Sequence, residues 1–267
     1  MYDQAPGITP ATLAAQQMAD VFEMDALSVP AMRAIMMQTH GGSDEDGTWT
    51  WREAYDAAEA GVLSALKRKH SVGADGPLTF RVSEGISSSI PTQTRRSEDQ
   101  IRLQQFSTPL PLALCVATSA AIEPSHWVLE PSAGCGALAC LAQLNGGQVV
   151  ANEINTRRAD LASFVLDQTV LRVDAEFIAN HELPGPQNGL FDRVVMNPPF
   201  SSSSVRDGDP TIALRHVLSA LRCLEPGGRL VSILPDGAFG VRQRSWMSKI
   251  LAQSTVASNI DPKIGIR

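Results

Sequence analysis

Residues 127–139 read WVLEPSAGCGALA and are the part of the sequence that decides the fold. The short apolar segment 127–130 is followed by Gly134 and Gly136, which allow a tight turn into a helix and a close approach of a ligand to bare backbone. The small Ala139 lets that helix lie near the sheet. A GxGxxA pattern alone is a weak signal, because it suits a nicotinamide dinucleotide fold equally well.

The alternation of short apolar segments and helical stretches continues through the second part of the chain. It is typical of βαβ units in a doubly wound, mostly parallel sheet, so we expect a Rossmann-like α/β fold. In such sheets ligands bind beyond the carboxyl ends of the strands. The predicted strands are 127–130, 148–152, 171–174, 191–197 and 229–234, and the predicted helices between them are 136–145, 156–167 and 211–224.

Residues 1–70 are predicted to form an N-terminal helical appendage. The first helix starts at Pro10, the second is closed by Gly41, and the third begins near Thr50. The third helix has an apolar face with a 3.6-residue period, formed by Trp51, Ala54, Tyr55, Ala58, Val62, Ala65 and Leu66.

A change of composition separates this appendage from the rest of the chain. Residues 71–99 are rich in Gly, Ser and Pro, which predicts a linker or arm. An irregular stretch of that length is unusual inside one compact domain, so we place a domain boundary there. The second domain is then 100–267.

The net charge of −6 argues against a protein that holds DNA unaided. Neutralisation of phosphates supplies most of the non-specific affinity for DNA, so such proteins usually have a basic surface. An activity on DNA therefore predicts help from another domain or partner. Two local basic clusters are either DNA contacts or solvated helix faces: Arg95, Arg96 and Arg102, and Arg242, Arg244 and Lys249.

The cysteine and histidine patterns predict neither a disulfide nor a metal site. The four cysteines include no CxxC pair, and the five histidines have no HxxxH or HxH spacing. No run of the sequence reaches the ~18 apolar residues that a membrane span needs, and the first ten residues lack a basic, apolar signal. We therefore expect a cytoplasmic location and no membrane partner.

Acidic residues follow three successive predicted strands. Glu130 can meet a cationic amino acid moiety but would repel a pyrophosphate, which favours S-adenosylmethionine (AdoMet) over a dinucleotide. Glu153 can accept both ribose hydroxyls of a nucleoside cofactor, and Asp174 can accept its adenine amino group. One such acid alone is more often a helix cap or a solvent-facing residue. Three of them behind a glycine turn predict an AdoMet site.

The segment Asn197-Pro198-Pro199-Phe200 after the fourth predicted strand is the most specific signal in the chain. Its prolines stop the strand and leave backbone carbonyls as free acceptors. The Asn197 side-chain oxygen and the Pro198 carbonyl can accept hydrogen bonds from an –NH2 group, and Phe200 offers a ring face to a planar base or amide. We predict that these four residues form a catalytic loop, which aligns the nitrogen with an electrophilic methyl and needs no strong base.

The residues before the glycine turn predict a second contribution to the cofactor pocket. Thr108 is expected to be the N-cap of an apolar helix with Pro109 in its first turn, which makes a helix start suited to the cofactor carboxylate. Phe106 can cover the methionine end.

At these motifs the chain resembles the amino-methyltransferase superfamily, with the circular order of the γ-type N6-adenine DNA methyltransferases. QQFSTPLPLA, VLEPSAGCGALA, ANEIN, MNPPFS and PGGRLV are more closely similar to the methylase domain of bacterial strawberry notch-like proteins, over roughly residues 45–240. That family joins the methylase to a helicase-like region, although no helicase motifs follow here. The resemblance implies AdoMet as cofactor, DNA as substrate and a helicase-like or DNA-targeting partner. It also assigns Phe106, Thr108, Pro109, Glu130, Ala133, Gly134, Gly136, Glu153 and Asp174 to the cofactor pocket.

The leading interpretation is therefore transfer of a methyl group from AdoMet to the exocyclic N6 of adenine in DNA. The same loop also suits a glutamine amide of a protein or a base nitrogen of RNA, although Phe200 in place of Tyr favours nucleic acid. A non-catalytic AdoMet-binding module of a larger assembly is a third possibility. A nicotinamide dehydrogenase is the weakest, because Glu130 is unfavourable near a pyrophosphate.

Overall fold

The computed structural model describes residues 7–71, 78–91, 107–200, 209, 211–235 and 244–254. Within them the helices are α1 Pro10–Met24, α2 Val29–His40, α3 Trp51–Ser71, α4 Phe80–Ser88, α5 Leu110–Ala120, α6 Ala137–Leu144, α7 Thr156–Leu166, α8 Ile212–Leu221 and α9 Arg244–Leu251. The strands are β1 Trp127–Glu130, β2 Gln148–Ala151, β3 Phe191–Met196 and β4 Leu224–Ser232, and a 3₁₀ helix spans Ala175–Asn180.

The four strands form a parallel sheet with the order β2-β1-β3-β4. Because side chains alternate between the two faces of a strand, Val128 and Val149 enter one hydrophobic core while Leu129 and Val150 enter the other. Helices α6 and α7 cover the first face, and α8 and α9 cover the second. The predicted doubly wound α/β fold is confirmed.

The predicted strand 171–174 is wrong. This segment makes a single parallel bridge, between Leu171 and Asn152, instead of a strand. The side chain of Asn152 replaces the missing ladder: its Nδ2 donates to the Val173 carbonyl at 2.9 Å, and its Oδ1 accepts from the Val173 amide at 2.9 Å. An asparagine amide offers the same donor and acceptor as a peptide group, so no further strand pairing is required there.

The last predicted strand, 229–234, begins five residues too late. Strand β4 starts at Leu224, which pairs with Phe191, and the register then shifts so that Arg193 pairs with Arg229. The shift accommodates Gly228, where a Cβ atom would lie 3.0 Å from the Asp192 carbonyl oxygen. The Pro-Gly-Gly segment, which resembles a turn in the sequence, is therefore an irregularity within the strand.

The N-terminal helices start where capping residues predict. The Thr9 side chain accepts from the Thr12 amide and the Ser28 side chain accepts from the Ala31 amide, with a proline in the first turn of each helix. Gly41 ends α2 in the left-handed conformation, with φ of +74°. Helix α4 lies in the stretch 71–99 predicted as a linker or arm. Residues 72–77 and 92–99 of this stretch are outside the described part of the chain.

Residues of α1, α2 and α3 belong to the same hydrophobic cluster as α6 and α7. The N-terminal helices thus pack onto the layer that covers one face of the sheet, with α3 lying against α7 and α6. In the part of the chain that the structure describes, no helix is both long enough and apolar enough to cross a membrane.

Gly61 sets the distance between α1 and α3. A Cβ atom at this position would lie 2.6 Å from the Ala15 carbonyl oxygen and 3.0 Å from the Ala19 backbone nitrogen. Ala15 and Ala19 are themselves fully buried. Small residues on both helices therefore allow the two backbones to approach closely.

We expect Gly61→Ala to lower the free energy of unfolding, although alanine favours helices by about 1 kcal/mol over glycine. The added methyl group meets backbone atoms that cannot rotate away, and overpacking of this kind costs about 1–3 kcal/mol. Gly85→Ala in α4 is the control, because nothing lies within 4 Å of its Cβ position. Urea unfolding should give a lower midpoint for Gly61→Ala than for Gly85→Ala. Equal midpoints would contradict the close approach of the α1 and α3 backbones at Gly61.

Candidate active site

A cleft opens at the carboxyl edge of the sheet, where the first glycine turn, the end of β2, the segment after residue 171 and the end of β3 meet. Parallel strands bring their carboxyl ends to one edge, so residues far apart in sequence converge there. Of the residues predicted from the sequence, Thr108, Ala133, Gly134, Glu153, Asp174, Asn197 and Pro199 line this cleft.

The glycine turn has the backbone conformation that its sequence predicts. Gly134 and Gly136 have φ angles of +60° and +97°, in the left-handed region that L side chains rarely adopt. A Cβ atom on Gly134 would lie 2.7 Å from a guanidinium nitrogen of Arg158, and one on Gly136 would lie 3.6 Å from Ala162 of α7. Gly134 therefore leaves room for the Arg158 guanidinium, whereas Gly136 allows α7 to pack against the turn.

Glu153 joins the end of β2 to the glycine turn. Its Oε2 accepts from the Gly134 amide and its Oε1 accepts from the Asn155 amide, each at 2.8 Å. The residue is 7% exposed and lines the cleft. A carboxylate oxygen has more than one acceptor position, so these bonds fix the side chain and leave capacity for a ligand hydroxyl.

Asp174 also lines the cleft. It is exposed, and its Oδ1 caps the 3₁₀ helix by accepting from the Glu176 amide at 2.9 Å. It is thus both a helix cap and a cleft residue, although the segment before it is not a strand. His216 of α8 lines the same cleft, with a buried Nδ1 that has no hydrogen-bond partner. Burial lowers the pKa of His216.

Thr108 contacts the predicted catalytic loop. The Asn197 Nδ2 donates to the Thr108 Oγ1 at 2.9 Å, so the amide group has a fixed orientation at the cleft. The prediction that Thr108 is the N-cap of α5 is wrong: Pro109 is the N-cap, and this helix has no side-chain cap hydrogen bond. The hydroxyl is one residue too early to cap the helix, and it holds Asn197 instead.

The other members of the Asn-Pro-Pro-Phe loop surround Asn197. Pro199 lines the cleft, Pro198 is buried and Phe200 is partly buried. Phe106 lies outside the described residues. Of the predicted basic clusters, Arg95, Arg96, Arg102 and Arg242 also lie outside them, whereas Arg244 is exposed and Lys249 stacks on the Trp246 ring at 4.2 Å from its centroid.

Glu130 is not among the residues that line the described cleft. It is 1% exposed, the backbone of Ala139 in the first turn of α6 hydrogen-bonds to its carboxyl, and its Oε2 is buried without a partner. Burial raises the pKa of Glu130 well above its usual value, and the nearby Glu153 and Glu59 charges raise it further. The folded protein therefore favours the protonated form of this carboxyl.

Sequence reasoning missed a charged cluster between α3 and α7. The buried Asp56 carboxylate lies 3.8 Å from Arg158 and 3.3 Å from Arg157, and Glu53 also pairs with Arg157. Glu59 and Arg158 both line the cleft. The consecutive arginines of α7 and the acids spaced along the alanine-rich α3 are a detectable signal, but only once these helices are known to pack together.

Asp56, Glu59 and Cys135 also place three potential metal-ligand atoms within 4.8 Å of one another in the described structure. Burial raises the pKa of the Cys135 thiol well above its usual value, so this sulfur stays protonated. The Arg158 guanidinium already supplies a positive charge next to the two acids. An ion pair accounts for the cluster better than a cation site does.

The cleft fits AdoMet on the chemistry of its lining. Gly134 lines the cleft with backbone atoms alone, and the Glu153 carboxylate beside it suits a ribose. Asp174 and the unpartnered His216 Nδ1 offer polar groups to a purine. Glu59 and Arg158 offer a carboxyl and a guanidinium, the two kinds of partner that an α-amino acid group requires.

We expect the Glu130→Gln variant to lose less stability than the wild type as the pH rises. A carboxyl whose pKa is raised in the folded state stabilises it fully below the unfolded value of about 4.5, and this contribution is lost as the pH rises through the folded pKa. Glutamine has the same shape and does not ionise. Unfolding free energies measured from pH 4 to pH 9 should therefore fall less for Glu130→Gln than for the wild type, and parallel curves would contradict a raised pKa of Glu130.

Comparison with known proteins gives a family. The model of the methyltransferase small domain matches residues 115–259, more than half of the chain. No curated protein matches the chain significantly by sequence.

Solved structures with a similar fold have low sequence identity. TrmN from Thermus thermophilus is 20% identical, with 68% of this chain and 70% of that chain covered and a TM-score of 0.42. The methyltransferase subunit of a type I restriction-modification system from Streptococcus thermophilus is 12% identical, with coverages of 91% and 71% and a TM-score of 0.44. A SAM-dependent O-methyltransferase from Thermotoga maritima is 18% identical, with coverages of 55% and 51% and a TM-score of 0.39. The chain belongs to the methyltransferase small domain family, and it is an AdoMet-dependent methyltransferase with a Rossmann-like fold.

Proposed function

We propose that the protein methylates the exocyclic N6 of adenine in DNA. The observation that carries this proposal is the Asn197 amide, which Thr108 holds at the cleft by a hydrogen bond of 2.9 Å. Because Nδ2 donates to Thr108, the Oδ1 atom is directed elsewhere and is available to accept from an –NH2 group. An asparagine followed by two prolines and an aromatic residue offers hydrogen-bond acceptors to an amino group and a ring face to the planar base that carries it.

Three residues of the loop have distinct parts in this reaction. Asn197 Oδ1 and the Pro198 carbonyl accept the two amino hydrogens and turn the nitrogen lone pair out of conjugation with the ring. Phe200 stacks on the base and fixes its plane. The bound cofactor supplies an electrophilic methyl group. Alignment of the amino nitrogen with that group is the main contribution of the protein, and the extra proton leaves to solvent afterwards.

The remaining predicted residues complete the proposed cofactor pocket. Glu153 binds the ribose and Asp174 the adenine amino group, while Ala133, Gly134 and Gly136 provide the close backbone wall. Phe106 and Pro109 belong to the methionine end.

The resemblance to the methylase domain of strawberry notch-like proteins supports a specific organisation. We infer a methylase domain over 100–267, a linker over 71–99 and a helical region over 1–70, which act with a helicase-like or DNA-targeting partner. The net charge of −6 supports such a partner, because the chain has little positive charge of its own for DNA phosphates.

DNA specificity is expected to be weak or to come from this partner. Duplex adenine must leave the base stack to reach the loop, which costs a few kcal/mol. Single-stranded DNA avoids this cost. One sharply defined recognition sequence among the methylated sites on DNA treated with the purified chain would contradict this expectation.

The substrate proposal is tested by transfer of a labelled methyl group from AdoMet to duplex DNA, single-stranded DNA, RNA and a mixed protein pool. We expect label in DNA, recovered as N6-methyladenine, and a loss of about 100-fold or more in Asn197→Ala, which is typical for removal of one preorganised hydrogen-bonding group. Label in RNA or on protein glutamine instead would show that the substrate is not DNA. Binding of AdoMet without transfer to any acceptor would support a non-catalytic module.

Thr108 is expected to act through Asn197. Thr108→Val keeps the shape of the side chain but removes the hydroxyl, so the amide loses its orientation, and kcat should fall about tenfold, as for the loss of one hydrogen bond of about 1.4 kcal/mol. Thr108→Ser retains the hydroxyl and should restore most of the rate. Equal rates for the valine and serine variants would show that this hydrogen bond does not position Asn197.

A further inference from the structure

Helix α3 reaches the cleft through one side chain. Glu59 lines the cleft together with Thr108 and Gly134, although it lies in the N-terminal helical region, far before both of them in the sequence. The flanking positions Ala58 and Ala60 are fully buried in the core. Glu59 is therefore at the edge where the packed face of α3 meets the cleft.

The surroundings of Glu59 keep its carboxyl in place without filling its acceptor capacity. Oε2 accepts a hydrogen bond from the Ser107 hydroxyl, next to Thr108 at the start of α5, and the Cys135 thiol also hydrogen-bonds to the carboxyl. The pKa of Glu59 is raised, chiefly by burial, although the Arg158 charge and the two hydrogen bonds act in the opposite direction. A carboxylate has four acceptor positions, so a third donor can bind it.

The two charged residues of this wall of the cleft match an α-amino acid. Arg158 is 5% exposed, lies against the Gly134 turn and presents a permanent positive charge. Glu59 presents a carboxyl at the same end, and a cationic group bound next to a carboxyl favours its ionised form. A zwitterionic amino acid group needs one partner of each sign, and a partly buried site makes both interactions stronger than water does.

Glu130 does not meet this requirement. Its carboxyl is enclosed under the first turn of α6 and does not line the cleft, whereas Glu59 does. An acid that binds a cationic ligand has to reach it.

We infer that Glu59 binds the α-ammonium group of the AdoMet methionine moiety, so that the N-terminal helical region supplies part of the cofactor site. The inference rests on the proposed function only in that this cleft holds the cofactor. It assigns Glu59 to a role that the sequence patterns give to Glu130.

The test compares two ligands that differ at the amino acid group. AdoMet carries the ammonium, whereas 5′-methylthioadenosine keeps the adenine and ribose but lacks the amino acid. Calorimetry on the full chain should show that Glu59→Gln weakens AdoMet binding by about tenfold to hundredfold, the effect of one charge-assisted hydrogen bond. Binding of 5′-methylthioadenosine should change by less than about twofold, which also shows that the cleft is intact.

Two further variants complete the comparison. Glu84→Gln is the matched control, since this exposed glutamate lies on α4 away from the cleft, and it should bind both ligands as the wild type does. Glu130→Gln tests the alternative acid. An unchanged AdoMet affinity in Glu59→Gln, or a loss confined to Glu130→Gln, would overturn the inference while AdoMet binding by the wild type still stands. A wild type that binds neither ligand would overturn both the inference and the proposed cleft.

Discussion

Two consecutive side chains at the end of β2 hold the edges of the cleft together. Asn152 donates to the Pro131 carbonyl at 2.8 Å and exchanges two hydrogen bonds with Val173, so it joins the segments on both sides of its strand. Glu153 binds the Gly134 amide. Buried polar groups are costly without partners, and these two residues satisfy several backbone groups that the sheet leaves unpaired. The shape of the cleft depends on them more than on any single strand.

A second constraint is the buried charge between α3 and α7. Arg158 and Asp56 are both buried, and neither can lose its partner without a large cost in free energy. The guanidinium also lies where a side chain on residue 134 would be, so it supports the glycine turn from behind. The docking of α3 and the conformation of the turn therefore depend on the same group. In this way the core of the N-terminal helices is linked to the site of chemistry.

The sequence contains most of the fold in local signals. Short apolar segments next to glycine or proline predict β1, β2 and β3, and capping residues predict α1 and α2. The positive φ angles at Gly134 and Gly136 follow from the spacing of the glycines. These features depend on neighbours within a few residues, and such neighbours are visible in a sequence.

The errors involve contacts between distant residues. The segment 171–174 has the composition of a strand, but the Asn152 side chain takes its hydrogen bonds. Thr108 is of a residue type that often caps helices, but its hydroxyl accepts a hydrogen bond from Asn197, 89 positions later. No local pattern in the sequence marks Glu59 as a cleft residue. Helical periodicity identifies the face of α3 that packs in the core, but it does not show that the edge of this face reaches the cleft. These side chains acquire their neighbours only when the elements pack.

The position of α3, partly in the core and partly at the cleft, has a thermodynamic consequence. A ligand that binds only the folded state stabilises it by RT ln(1 + [L]/Kd), and this stabilisation extends to every element whose opening destroys the site. Because α3 lines the cleft and packs closely against α1 at Gly61, the two helices share this stabilisation. The outer surface of α1 is thus more resistant to local opening when the cofactor is bound.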